Sequence, residues 1–218
     1  SAYPTAMRSN PFRRLPRLPL LVVCALIVAC GGLSTALAAL EGPEVGTPAP
    51  DFTLTDTEGK TTQLSSLKGK VVVLEWFNPD CPFVVYAHGK KGPLTEQVPR
   101  VLADGVVWLA INSGAPGKQG ADPKRNVSAK GQYGMNYPVL LDPTGEVGRL
   151  YGAITTPHMF VIDAEGTLVY AGGLDAAPMG RGNSTNFVDA ALADLKAGAK
   201  PARDRSKPYG CSVKYSRK

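Results

Sequence analysis

The sequence predicts an α/β domain, in which a central mixed β-sheet is flanked by helices and preceded by an N-terminal β-hairpin. Two apolar runs, residues 71–77 and 106–111, are continuous and rich in β-branched residues, as is typical of strands buried on both faces. Segments with helical signals lie between successive strands, and this alternation favours a sheet covered on both sides. A Gly-containing turn at 164–166 predicts that the last two strands are antiparallel.

The first half of the domain begins after a Gly- and Pro-rich linker at 39–48. Residues 51–55 alternate apolar and polar side chains, and the Glu58-Gly59 turn separates them from a returning strand. Gly89, Gly92 and Pro93 interrupt the helical segment that follows Pro82. The expected elements are strands at 51–55, 61–64 and 71–77, a helical turn at 67–70, and two helical pieces within 82–102.

The second half continues the alternation to the end of the domain, which we place at 49–197. Asn126 is the expected N-cap of a helix that ends near Tyr133. The last helix is amphipathic, with its apolar residues on one face. The other expected elements are strands at 106–111, 137–141, 158–163 and 168–174, and helices at 145–151 and 185–197.

The N-terminal segment, residues 1–38, has the three parts of a secretory signal peptide. A basic stretch precedes an apolar segment that starts at Leu18, and Ala36-Leu37-Ala38 is a small-x-small cleavage motif. Two alternatives stay open. Residues 27–31 resemble a bacterial lipoprotein box in which Cys30 would be lipidated, and the apolar segment approaches the ~20 residues that span a membrane. All three predict a domain outside the cytoplasm, with the periplasm as the simplest location.

The net charge gives no reason to expect a nucleic-acid partner. Residues 1–38 hold four arginines and no acid, so without them the count falls from 24 to 20 basic residues against 18 acidic ones. The excess lies partly in residues 198–218, which we interpret as a solvated, mobile basic tail. No residue pattern indicates a bound cofactor.

Cys81 is the candidate nucleophile. It follows a buried strand and an Asn78-Pro79-Asp80 turn, and Pro82 opens the next helix. This order places a thiol at a helix N-terminus, where the helix dipole and free N–H groups favour the reactive thiolate. A turn flanked by prolines is also a poor place to bury an inert cysteine.

Three landmarks in order give the chain its resemblance: Ala49-Pro50-Asp51-Phe52, Cys81 at a strand-to-helix turn, and Thr156-Pro157 before a strand. Over residues 46–197 the chain resembles the redoxin group of thioredoxin-like proteins, which includes peroxiredoxins and exported thiol-disulfide oxidoreductases. The resemblance implies a thioredoxin-like fold with Pro157 in cis, facing the thiol. It also implies that Thr156 offers its backbone to an extended substrate. An ordinary strand-edge proline is the alternative for Pro157.

The site departs from both subfamilies. Val84 stands where thioredoxins have their second cysteine, and Asn78 where peroxiredoxins have threonine or serine. The peroxiredoxin arginine before a later strand is also missing. We expect Asn78, Pro82, Thr156 and Pro157 to contact the substrate, although Asn78 is also an ordinary turn former.

Cys211 is the only other cysteine beyond the N-terminal segment. On a mobile tail it could resolve an intermediate formed on Cys81, and some peroxiredoxins have such C-terminal resolving cysteines. A structural staple is the alternative. We therefore expect an exported thiol oxidoreductase that acts on disulfides, or as the close alternative on peroxides, together with an external reductant.

Two other classes of function stay open. Cys81, His158 and Cys211 could form a copper site like that of thioredoxin-like copper chaperones, or the domain could be a redox-silent binding module. Among the neighbouring residues, Glu75 is either a buried acid that assists proton transfer or a solvent-facing strand residue. His88 is expected at the surface, and Trp76 and Phe77 in the core.

Overall fold

The computed structural model describes residues 42–183 and 185–217. The predicted signal peptide and the lipoprotein alternative at Cys30 lie outside these residues. Within the described chain, no helix is both long enough and apolar enough to cross a membrane.

In the part of the chain that the structure describes, the strands are β1 (Thr53–Asp56), β2 (Thr61–Gln63), β3 (Val72–Trp76), β4 (Val107–Asn112), β5 (Val139–Leu141), β6 (Thr155–Thr156), β7 (Met159–Ile162), β8 (Leu168–Gly172) and β9 (Cys211–Ser212). Seven of these described strands form one mixed sheet in the spatial order β2-β1-β5-β4-β3-β7-β8, and β6 pairs separately with β9. The mixed sheet confirms the predicted architecture. Its central strands β3, β4 and β5 are parallel, whereas β1, β7 and β8 run antiparallel to their neighbours. The β1–β2 hairpin extends the sheet beyond β5.

Within residues 42–183 and 185–217, five α-helices connect the strands: α1 (Pro82–Ala87), α2 (Leu94–Ala103), α3 (Pro123–Gln132), α4 (Glu146–Leu150) and α5 (Phe187–Lys196). The predicted break between α1 and α2 is confirmed. Gly92 lies so close to the carbonyls of Tyr86 and Ala87 that a Cβ atom would collide with both. Only glycine fits this close approach of the backbone.

Two local expectations were wrong. The 3₁₀ turn spans Leu64–Leu67, earlier than expected, so β2 stops at Gln63. Asn126 does not cap α3, which starts at Pro123 with Asp122 accepting from the Lys124 backbone N–H at 2.8 Å. An Asp-Pro start supplies both a capping carboxylate and a preset first residue. Asn126 is instead buried and hydrogen-bonded to Asn112.

The core lies on both faces of the sheet. Val73 on β3 packs into the cluster that contains Cys81 and the inner faces of α2 and α5. Leu74 and Trp76 pack into a second cluster on the other face, around Tyr151 and Phe160. The alternation along β3 therefore buries each side chain, as the continuous apolar run predicted.

The C-terminal tail is packed against the domain and is not the solvated segment that the charge pattern predicted. The Ala171 backbone N–H donates to the Asp204 carbonyl at 3.0 Å, so the tail follows the edge of β8. Further along, β9 pairs with β6. Tyr215 donates its hydroxyl to the Ala153 carbonyl at 2.7 Å, and the Arg149 guanidinium lies over its ring. The tail's aromatic residues thus pack inward while its charged groups keep contact with water.

Candidate active site

Cys81 is the N-cap of α1, with Pro82 at the first helical position. The turn that precedes it is closed by two hydrogen bonds: the Asp80 N–H donates to Asn78 Oδ1 at 2.9 Å, and the Cys81 N–H donates to the Asn78 carbonyl at 3.1 Å. This is the predicted strand-turn-cysteine-helix order.

The turn flanked by prolines, which we expected to be a poor place to bury a cysteine, nevertheless holds a buried one. Cys81 has 0% exposed surface, because it packs into the core cluster on one side and is covered by the tail on the other. Both the core and the distant tail thus contact this side chain.

Cys211 lies directly against Cys81, and the two sulfur atoms are 2.7 Å apart. The pairing of β6 with β9 places Cys211 opposite Thr156. The Cys81 thiol donates to the Thr156 carbonyl at 3.0 Å, and the Thr156–Pro157 peptide bond is cis as the resemblance implied. The structure thus brings together both predicted cysteines and the predicted Thr156-Pro157 segment.

The two thiols differ in acidity. Burial raises the pKa of Cys81, but hydrogen bonding to Cys211 and from the Val84 backbone N–H outweighs it, so this pKa lies below its ordinary value. Burial raises the pKa of Cys211 to about 11, and its hydrogen bond to Cys81 acts in the same direction. The pair therefore ionises first at Cys81, with Cys211 keeping its proton.

The predicted substrate-contacting residues differ in exposure. Thr156 is buried, and its hydroxyl has no hydrogen-bond partner within the described part of the chain. Pro157 is buried and Pro82 is exposed. Asn78 is also buried. Its side-chain amide accepts from the Asp80 N–H within the turn and donates to the Gln119 carbonyl. Asn78 thus serves the shape of the turn, and substrate contact by any of the four residues stays a prediction.

Two residues that the sequence analysis did not predict stabilise the turn before Cys81. One lies on α3 and the other directly follows this helix. Arg125 donates from Nε to Asp80 Oδ1 at 2.8 Å and from Nη2 to the Pro79 carbonyl at 3.1 Å. The Tyr133 hydroxyl also donates to the Pro79 carbonyl, at 3.0 Å. No local pattern signals these contacts, because the partners lie more than forty positions apart.

Glu75 and His88 form a buried pair behind the site. Glu75 is fully buried, so its solvent-facing alternative is excluded, and its carboxylate contacts His88 Nε2 at 2.7 Å and accepts from Trp108 Nε1 at 2.9 Å. The expectation of a surface His88 was wrong, because its ring packs between Phe77 and Tyr133. Trp76 and Phe77 are core residues as expected.

His158 does not join the two cysteines. Its ring packs on Phe160, which belongs to the core cluster on the opposite face of the sheet from Cys81. It borders a cavity of about 280 Å³ beside Arg205, and burial together with the Arg205 charge lowers its pKa to about 4. Among the residues described, no three His, Cys, Asp or Glu side chains are placed to hold a metal ion. The proposed copper ligands Cys81, His158 and Cys211 are therefore not assembled.

Comparison with known proteins identifies the family. The sequence model of the AhpC/TSA family matches residues 45–171, more than half of the chain. The chain belongs to the AhpC/TSA family. This confirms the redoxin resemblance and the predicted class, a thiol-based oxidoreductase of thioredoxin-like fold.

Relatives and solved structures agree with this assignment. A thiol-disulfide oxidoreductase, ResA of Bacillus thuringiensis subsp. konkukian, is 30% identical over 156 residues, which are 67% of this chain and 83% of the relative. An uncharacterized conserved protein of Geobacillus kaustophilus has 28% identity and a TM-score of 0.73, over 80% of this chain and 94% of its own. A putative thiol:disulfide interchange protein DsbE of Chlorobium tepidum has 27% identity and a TM-score of 0.50, over 59% and 84%.

Proposed function

We propose that the protein is an exported thiol-disulfide oxidoreductase whose redox couple is Cys81 and Cys211 of the same chain. The distance of 2.7 Å between the two sulfur atoms carries this proposal. Two thiols this close can exchange with a disulfide in two successive steps, because the second thiol is already beside the first. The names of the ResA and DsbE relatives support the same chemistry.

The steps follow from the acidity of the two thiols. The tail that covers Cys81 first moves aside. The Cys81 thiolate then attacks one sulfur of a substrate disulfide, forms a mixed disulfide, and releases the first substrate thiolate. Cys211 then loses its proton and attacks Cys81, which releases the second substrate thiolate. The substrate gains two electrons, the chain gains a Cys81–Cys211 disulfide, and an external dithiol restores the thiols.

Disulfides are favoured over peroxides by the contacts of Asn78. A peroxidase needs side chains near the sulfur that orient the O–O bond, and Asn78 stands where peroxiredoxins have a hydroxyl. Its amide oxygen is already bound to the Asp80 N–H and its amide nitrogen to the Gln119 carbonyl. Export rests on the signal-peptide pattern of residues 1–38, and the substrates and reductant are expected outside the cytoplasm.

Mass spectrometry of the purified protein tests the couple. We expect oxidation by a protein disulfide to make the chain lighter by two hydrogens and to link the peptides that hold Cys81 and Cys211, reversibly with dithiothreitol. A parallel stopped-flow comparison with hydrogen peroxide separates the two reactions. Peroxide reacting faster than the disulfide would favour the peroxidase, and an unlinked pair of cysteines would contradict the couple itself.

A further inference from the structure

The cavity of about 280 Å³ beside His158 takes no part in the proposed redox cycle. It lies against Tyr151 and Phe160, which belong to the core cluster on the opposite face of the sheet from Cys81. The segment before β1 and the tail form the rest of its wall, the tail through residues 205, 206 and 208. The cavity is therefore complete only while the tail is docked.

Most of the wall of this cavity offers nothing polar to a ligand. The Tyr151 hydroxyl already donates to the Pro50 carbonyl at 2.6 Å. The Ser206 hydroxyl contacts the Tyr170 hydroxyl at 2.6 Å and accepts from the Gly173 N–H at 2.9 Å. The apolar part of the wall consists of Pro43, Ile154, Phe160, Ala171 and Pro208. A ligand would therefore be held by apolar contacts and by the two remaining polar side chains, a histidine and an arginine.

His158 contributes a hydrogen-bond donor that the described chain does not use. The residue has 7% of its surface exposed, and its Nδ1 accepts from the Ile154 backbone N–H at 3.4 Å. Because burial and the Arg205 charge lower its pKa to about 4, the ring is neutral at pH 7 and its proton lies on Nε2. Within residues 42–183 and 185–217 this Nε2–H has no acceptor, and Nε2 is not among the atoms sealed from solvent without a partner. The imidazole therefore keeps one N–H for a ligand.

Arg205 contributes a positive charge. Its Nη2 donates to the Pro43 carbonyl at 3.1 Å, which holds the guanidinium at the edge of the cavity. In the part of the chain that the structure describes, no carboxylate forms a salt bridge with it. A guanidinium has five N–H donors, so several stay free for a ligand. Since the imidazole beside it is neutral, the two side chains together present one net positive charge.

We propose that this cavity binds a small organic monocarboxylate, with its carboxylate at Arg205 and His158 and its apolar part against Phe160. A guanidinium matches a carboxylate in shape, because two parallel N–H groups meet its two oxygens. One net positive charge suits a monoanion, and the apolar wall disfavours a strongly hydrated inorganic anion. The volume is just below the roughly 300–1,000 Å³ of common ligand cavities, which limits the ligand to a small molecule.

NMR of the histidine rings in the full-length chain tests this binding directly. The sequence holds two histidines, His88 and His158, and the missing signals of His158→Gln assign them. The probes are butyrate and benzoate, and butyramide and benzamide are uncharged controls of the same shape. At pH 7 we expect both acids to shift the His158 signals saturably and to leave those of His88 unchanged. We expect the amides to bind at least about tenfold more weakly, because they lack the charge.

Three results of this titration would overturn the proposal. The first is that neither acid shifts the His158 signals saturably up to about 50 mM, which is far above the dissociation constant of a built site. The second is that the amides bind as tightly as the acids, which would leave an apolar cavity without recognition of the carboxylate. The third is that sulfate binds as tightly as benzoate, which would indicate a general site for anions.

The charge of Arg205 is tested with a matched arginine. Arg205→Gln removes the guanidinium from the cavity, whereas Arg203→Gln removes one that lies 5.1 Å from the centre of the Phe187 ring and does not border the cavity. We expect Arg205→Gln to weaken benzoate binding at least about tenfold and Arg203→Gln to change it less than about twofold. Arg205→Lys, which keeps the charge, should bind more tightly than Arg205→Gln. Unchanged His88 signals confirm that each variant is folded, and equal weakening in both glutamine variants would overturn the proposal.

Discussion

The two halves of the candidate site are built in different ways. Cys81 is held by the core: it ends a turn after a central strand, and side chains from the sheet and helices surround it. Cys211 is held by an edge, through a two-residue strand and a few contacts made by the tail. Segments with few buried contacts open at lower free energy than core segments. The site therefore joins one sulfur that is fixed by the fold to another that is fixed by local contacts.

Replacing each cysteine should block disulfide exchange at a different step, and these two losses of activity are the largest expected effects. Cys81→Ser removes the nucleophile, so we expect exchange with a protein disulfide to fall to the uncatalysed rate. Cys211→Ser leaves the nucleophile without its resolving thiol, so a mixed disulfide with the substrate should accumulate on non-reducing gels. Equal losses without any trapped species would contradict the division of roles.

Removal of the C-terminal tail tests whether the tail shields Cys81 from solvent. In a chain truncated after Lys200, we expect iodoacetamide to alkylate Cys81 at least about tenfold faster, because a thiol with no exposed surface becomes accessible. Full-length Cys211→Ser is the control, since it lacks the second thiol but keeps the tail. An unchanged rate after truncation would mean that the core alone buries the sulfur.

His158 lies at the boundary between the core and the tail, where it makes stability depend on pH. Its pKa is lowered to about 4 by burial and by Arg205, so between about pH 6.5 and 4 the unfolded chain binds a proton that the folded chain does not. The free energy of unfolding should therefore decrease as the pH falls through this range, by about 3 kcal/mol. Urea unfolding at several pH values measures this.

The matched variant for this test is His158→Gln, which keeps a polar side chain that does not titrate in this range. We expect its pH dependence to be flatter than that of the unmodified chain over the same interval. Parallel curves for the two proteins would assign the acid sensitivity to other groups.

Removing the contacts that Arg125 makes with the turn before Cys81 should have the smallest effect. Its contacts with Asp80 and Pro79 are partly exposed, so we expect Arg125→Ala to cost about 1 kcal/mol of stability and to slow disulfide reformation about twofold. Arg100→Ala is the control, because it breaks a comparable ion pair with Asp189 away from the site. Slower reformation in both variants would indicate a general loss of stability.

The sequence predicted the parts of this site that depend on local order. The apolar run of β3, the turn before Cys81 and the proline after it are adjacent in the chain, and the cis bond before Pro157 followed from the resemblance. Apolar alternation was also sufficient for the sheet and most of its helices, because burial on both faces imposes it.

The contacts that could not be predicted from the sequence join segments that are distant in the chain. The tail was interpreted by its charges, but its tyrosines and a short strand pairing hold it in place. His88 gave no periodic signal, since its partner Glu75 lies on a strand and His88 just after a helix. Arg125 is one of several basic residues on its helix, and only the folded chain brings it to the Asp80 turn.

The separation of 130 positions between the two cysteines links the redox state to folding. A bond between them would close a loop of this length, which by chain entropy stabilises the folded domain by about 5 kcal/mol. The linkage is reciprocal, so folding would favour the disulfide over the dithiol by the same free energy, more than a thousandfold in the equilibrium constant. A partner that reduces this pair would therefore work against the free energy of folding as well as against the sulfur–sulfur bond.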